Sequence, residues 1–230
     1  MKRILLLSII FTISLFADVA QVTFEKYHKA CKNGNMRSCV EVGILYDNGV
    51  DDGSGFHQDK AKAKKLFSLA CKKSEPIGCT KLGLMYDTGN GVKKDKNRAI
   101  TLYRKACRNN EGMGCYFLAT LYDWNMPAYS DKTKALQYYK KGCKLRENES
   151  CFKVGLMYST GKDVQRDYKK AAHFYAKACN YRHAEACYDL GIMYIKGYGV
   201  QMDKIIGGKI IGISCDKGYI PACDIDFSER

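Results

Sequence analysis

Asp95–Tyr122 reads DKNRAITLYRKACRNNEGMGCYFLATLY, and the distance between its two cysteines decides the fold. Eight residues along one α-helix span about 12 Å, whereas a disulfide needs Cα atoms within about 7 Å. Cys107 and Cys115 can therefore be bridged only if the chain turns back between them. The stretch supplies that turn. Asp95 is a helix N-cap candidate, because its carboxylate can accept from the free N–H groups of a first turn. Ala99, Leu102, Tyr103 and Ala106 follow at i, i+3, i+4, i+7, the spacing of one helical face. Polar Asn109-Asn110-Glu111-Gly112 breaks the pattern, and Leu118, Ala119 and Tyr122 share one face of a second helix. The unit is a helical hairpin.

The same unit recurs through the chain. Twelve cysteines form six C-x7-C pairs: Cys31/Cys39, Cys71/Cys79, Cys107/Cys115, Cys143/Cys151, Cys179/Cys187 and Cys215/Cys223. The first members of the last five pairs are 36 residues apart, and only the first interval differs, at 40. A fixed period of this length specifies stacked hairpins rather than one compact core. The expected fold is all-α, a right-handed α/α solenoid of about five and a half disulfide-bridged hairpins spanning residues 18–230. Each bridge closes a short loop and is worth roughly 2–3 kcal/mol on the chain-entropy account. Cap candidates Asp59, Asp95, Asp131, Asp167 and Asp203 keep the 36-residue step. Gly43, Gly83, Ala119, Gly155 and Gly191 share one small position, which predicts close helix crossing, since mid-helix glycine otherwise costs about 1 kcal/mol. Tyr46, Tyr86, Tyr122, Tyr158 and Tyr194 follow three residues later and read as packing elements.

Compartment and charge come from the ends and the composition. Met1-Lys2-Arg3, the apolar run Ile4–Phe16 and Ala17 have the order of a secretory signal peptide over residues 1–17. That run is too short to span a bilayer, which takes about 20 residues, so no stable membrane insertion is expected after cleavage. Export to the periplasm or the medium would let the cysteines oxidise. The formal charge is +14 for the whole chain. Outside the cytoplasm this excess is compatible with anionic envelope polymers, lipid headgroups or acidic peptides rather than nucleic acid. Because lysines recur at loop and helix-surface positions throughout, the favoured reading is a solvated lysine face on every repeat. Zinc is not indicated. The spacing is not CxxC, and His28, His57, His173 and His183 hold no repeating relation to the cysteines. No cofactor is expected.

Ala106-Cys107 through Cys115-Tyr116, Leu190-Gly191-Ile192-Met193-Tyr194 and Gly197-Tyr198-Gly199-Val200 resemble Sel1-like repeats, relatives of the tetratricopeptide repeats. In its disulfide-bearing form the pattern resembles the Helicobacter cysteine-rich protein family, over roughly Thr23 to Cys223. The resemblance implies an exported solenoid with a concave binding face. It also implies a penicillin-binding and β-lactamase activity, and with it β-lactams as ligands. The residues give that activity no separate support. Ser-x-x-Lys occurs at Ser150–Lys153, Ser159–Lys162 and Ser214–Lys217, but no Ser-Asp-Asn or Lys-Thr-Gly accompanies it. Catalytic residues are not identifiable.

Binding positions on a solenoid vary while packing positions repeat. In the Asp-capped helices the variable set is Lys65, Thr101, Gln137 and His173. In the second helices it is Glu41, Lys81, Phe117, Lys153 and Asp189. Periodicity does not choose between them, and the family resemblance favours the second. With Trp124, from the glycine-free linker Asp123–Ser130, Phe117 would supply apolar anchors in a polar groove. The expected function is a scaffold holding an extended peptide, a peptidoglycan fragment or a partner protein, with β-lactam hydrolysis as the alternative. In the sixth repeat, Gly207, Gly208 and Gly212 replace helix formers, which predicts a degenerate terminal unit.

Overall fold

A computed structural model describes residues 22–49, 57–123 and 130–224. Every regular element among them is helical: α1 (residues 22–32), α2 (Met36–Asn48), α3 (Lys60–Lys72), α4 (Pro76–Thr88), α5 (Lys96–Arg108), α6 (Gly112–Asp123), α7 (Lys132–Lys144), α8 (Asn148–Thr160), α9 (Tyr168–Asn180), α10 (Ala184–Lys196), α11 (Lys204–Asp216) and α12 (Ile220–Cys223). The chain divides into two compact units, Met1–Asn109 and Asn110–Arg230. The first holds α1–α5 and the second α6–α12. Within each, a helix packs on the next in sequence, as stacked hairpins require. The signal segment, the first-linker expansion around residues 50–56 and Trp124 lie outside the described residues.

Five bridges span hairpins: Cys31–Cys39, Cys71–Cys79, Cys143–Cys151, Cys179–Cys187 and Cys215–Cys223, with Cα–Cα distances of 4.5–4.9 Å. Cys107 and Cys115 are also disulfide-bonded. Such short separations demand that the two helices nearly touch, and the residue before each cysteine allows it. Gly78 lies against Ala70, Gly142 against Ser150, and a small residue precedes all twelve cysteines. The turn between the helices puts one residue in the left-handed region. Gly34 and Gly218 take it without strain, but Ser74, Arg146 and Arg182 adopt φ of 66–72° with side chains attached.

Each long odd-numbered helix after α1 begins at the expected aspartate. Asp59, Asp95, Asp131, Asp167 and Asp203 accept from the backbone N–H three residues on. Their own N–H groups donate to the carbonyls of Tyr46, Tyr86, Tyr122, Tyr158 and Tyr194, so each cap also ties one repeat to the next. Lys62, Arg98, Lys134 and Lys170 join both features, pairing with the capping carboxylate while lying over the tyrosine ring. Those pairs hold the Asp131 and Asp167 carboxyls below their ordinary range, the side-chain bond from the lysine first and the backbone N–H next.

The even-numbered helices are capped by a less regular position. Asn35, Glu75, Glu111 and His183 accept from the first turns of α2, α4, α6 and α10. The His183 Nδ1 accepts from the Ala186 N–H at 3.2 Å, the Nε2 lies 3.2 Å from Glu149 Oε1, and the ring stacks on Phe152 at 4.3 Å. This buried histidine is a cap and a packing surface.

The recurrent small position does more than let helices cross. A Cβ on Gly43 would stand 2.5 Å from the Phe67 ring, on Gly83 2.7 Å from Tyr103, and on Gly155 2.6 Å from Tyr175. The missing side chain is the seat of a buried aromatic from the following helix. At the next step Ile211 takes the aromatic position, and Gly191 meets it together with the Gly207 carbonyl. Gly207 is thus a point of backbone contact between α10 and α11. The glycine-rich α11 runs a full 13 residues with its own Asp203 cap. The terminal unit departs from its siblings in α12, which covers four residues.

Candidate functional site

The two variable sets differ in setting. Lys65, Thr101, Gln137 and His173 are all exposed, whereas Glu41, Lys81, Phe117, Lys153 and Asp189 are all half-buried. Glu41 and Lys81 stand on α2 and α4 of the first unit, and Glu41 pairs with Arg37 at 3.2 Å. Phe117, Lys153 and Asp189 stand on α6, α8 and α10 of the second. The Phe117 ring lies 5.4 Å from that of Tyr116.

Lys153 and Asp189 each line a pocket of the second unit. Asp123, Tyr139, Lys153, Leu156, Met157 and Lys162 are among the residues around a cavity of about 130 Å³. Ser159, Tyr175, Asp189, Ile192, Met193 and Tyr198 are among those around one of about 260 Å³. Each residue of the second set lies 36 positions after its counterpart in the first. They are one pocket, built twice. Leu156 borders both, so the two adjoin over α8.

The floors are alike. Tyr139 and Tyr175 are buried, and burial drives both hydroxyls well above the usual tyrosine range. Their partners differ. Tyr139 donates to Asp123 Oδ2 at 3.4 Å, and Lys132 Nζ sits 2.8 Å from Asp123 Oδ1. Tyr175 shares a 2.9 Å hydrogen bond with Ser159 Oγ, and its hydroxyl and the Asp189 carboxylate influence each other's titration. Burial, reinforced by Glu185 and partly offset by the Tyr175 hydroxyl, pushes the Asp189 carboxyl up to about 6.

The Ser-x-x-Lys matches have ordinary explanations. Ser150 is one of the small residues at a hairpin crossing, buried against Gly142. Ser214 is equally buried and donates to the Ala184 carbonyl at 2.7 Å. Ser159 is engaged with Tyr175 and the Leu156 carbonyl. Two of the three cannot meet a substrate, and the β-lactamase alternative has no support in this geometry. Among the described residues no group of His, Cys, Asp and Glu side chains is placed to hold a metal. No helix there is long and apolar enough to cross a membrane.

The Sel1 repeat signature matches residues 37–75, 76–111, 112–146, 148–180 and 184–205, the greater part of the chain. Among solved structures, the chain is similar to a protective antigen of uropathogenic Escherichia coli, with 23% identity and a TM-score of 0.72 over 86% of this chain and 42% of that one. It therefore spans less than half the length of that relative, and the likeness is one of fold. A Sel1 repeat protein of Oxalobacter formigenes aligns at 25% identity and TM-score 0.68, over 82% of this chain and 73% of that one. Helicobacter pylori cysteine rich protein B shares 36% identity over 57% of this chain and 95% of its own, at a TM-score of 0.47. No curated protein matches.

Proposed function

Because the chain belongs to the Sel1 repeat family, a family of stacked helical hairpins, we propose that it is an exported scaffold whose furrow in the second unit holds an extended segment of a partner polypeptide. The disulfides point to an oxidising extracellular or periplasmic environment, and residues 1–17 would be the export signal. The observation that carries the reading is the pocket built twice. A segment laid across α8 in an extended, polyproline-like conformation has no internal hydrogen bonds to satisfy and could present side chains to both pockets.

Phe117, Lys153 and Asp189 would contact the segment along α6, α8 and α10, with Phe117 and Trp124 as apolar anchors. Glu41 and Lys81 are the corresponding positions of the first unit. Leu156, shared by both pockets and 37% exposed, is the natural probe. A displayed library of random ten-residue peptides should enrich on the oxidised chain, and Leu156→Arg should cut capture about tenfold or more with helicity unchanged. No enrichment, or enrichment indifferent to Leu156→Arg, would remove this reading. So would preferential capture of muramidase-digested peptidoglycan at the same furrow.

A further inference from the structure

Three repeats carry an internal ion pair at one place. Lys60 meets Asp47, Lys96 meets Asp87 and Lys132 meets Asp123, each at 2.8 Å. One repeat later the two positions hold Tyr168 and Ser159. That pocket has lost its own ammonium and the carboxylate that received it. A carboxylate returns at another position of the lining, where Asp189 replaces the Lys153 of the pocket before. The result is a cavity about twice as large, with its acid facing inward.

The charged neighbours of Asp189 do not neutralise it. On its own helix α10 stands Glu185, another carboxylate. From α9 comes the Tyr175 hydroxyl, from α8 Ser159, and ahead of α12 Tyr219, whose hydroxyl feels both Glu185 and Asp189. Two cations lie over tyrosine rings of the lining instead. Arg166 lies over the Tyr168 ring at 5.5 Å and Lys196 over the Tyr198 ring at 5.9 Å, and those rings stack on each other at 5.1 Å. Among the described residues no cation pairs with the Asp189 carboxylate. Leu156, Ile192 and Met193 complete the wall with apolar surface.

We propose that this pocket receives the side chain of a lysine from the partner polypeptide. The alkyl stem would lie along Leu156, Ile192 and Met193, and the ammonium would sit among the Asp189 carboxylate and the Ser159 and Tyr175 hydroxyls. A compact ammonium with three donors suits three converging acceptors, whereas a guanidinium presents a flat fork that favours a bidentate carboxylate. The foreign lysine restores the charge balance that Lys132 supplies from within one repeat earlier. This assignment rests on the furrow being a peptide site.

The probe is Nα-acetyl-lysine methylamide, titrated into the full oxidised chain and followed by amide chemical shifts. Saturable shifts should centre on Leu156, Ser159, Tyr175, Asp189 and Ile192. The norleucine and Nε-acetyl-lysine analogues and Asp189→Asn should each weaken binding about tenfold or more, the size expected for loss of a charge-assisted contact. Between pH 7.5 and pH 5 the affinity should fall about tenfold, because Asp189 is protonated while the probe stays charged. Equal binding of the norleucine analogue, tighter binding of the arginine analogue, or indifference to Asp189→Asn would overturn the proposal. If library peptides are still captured in a Leu156-dependent way, only the lysine assignment falls. If that capture is also missing, the furrow reading falls with it.

Discussion

The two pockets of the second unit share a floor, a wall and a period, and differ in who supplies the charge. Around Tyr139 the chain closes its own circuit, since Asp123 receives both the tyrosine hydroxyl and Lys132. Around Tyr175 the same backbone positions hold Ser159 and Tyr168, and the acid comes instead from Asp189 in the pocket lining. A half-buried carboxylate without a cation is unfavourable for folding, which the raised Asp189 pKa expresses. The comparison teaches that packing and recognition use separate positions of one repeat. Gly155 and Tyr175 keep the stack, so positions 159, 168 and 189 are free to change.

The largest test of that separation is the floor. Tyr139→Ala and Tyr175→Ala should each destabilise by about 3–5 kcal/mol, as truncating a buried aromatic does. Denaturant midpoints check this, and a loss below about 1 kcal/mol at either would show that the floor is not core. Next comes the crosslink. Replacing Cys143 and Cys151 by serine should cost about 2–3 kcal/mol. The same change at Cys215 and Cys223 should cost less, because α12 offers only a short helix to hold. Equal losses would mean that the terminal unit is packed as firmly as its neighbours.

A third experiment converts one pocket into the other. Ser159→Asp with Tyr168→Lys installs the Asp123–Lys132 pair one repeat later. It should abolish lysine-probe binding, a loss of about tenfold or more, with helicity retained. Retained binding would show that the internal pair is not what distinguishes the pockets. The smallest effect concerns the free protein. The Asp189 carboxyl titrates higher in the folded chain than in the unfolded one, so the folded state binds more protons between about pH 4 and 6 and loses stability as pH rises through that window. Asp189→Asn should therefore raise stability at pH 7–8, by up to about 1 kcal/mol given the partial exposure of the group, with little change at pH 4. Denaturation at the two pH values decides it, and destabilisation at pH 8 would contradict the frustrated-carboxylate account.

Much of the scaffold is legible residue by residue. Cys143 and Cys151 announce a hairpin because a helix cannot bring them together, and Asp167 announces a helix start because its carboxylate serves its own first turn. Both are local constraints, renewed every 36 residues, so repetition makes them plain. Other features needed the partner helix in view. The small residue before each cysteine is visible in the sequence, but its purpose appears only when Gly142 and Ser150 touch. Ser150 and Ser214 match a catalytic motif until burial shows them to be spacers. His183, one of four scattered histidines, becomes a cap only beside Ala186.

The candidate site stands at the far end of this scale. Periodicity isolates Lys153 and Asp189 as positions that vary, and the resemblance favours their helix face, yet neither says what varies against what. The chemistry lies in differences between positions many residues apart: a lysine lost at 168, an aspartate lost at 159 and another gained at 189. Sequence alone determined the repeat, the bridges and the caps, because each is satisfied within one hairpin or its immediate successor. Only the tertiary structure decided which changes face one cavity, because an unbalanced charge acquires meaning from its neighbours in space and from its removal from water.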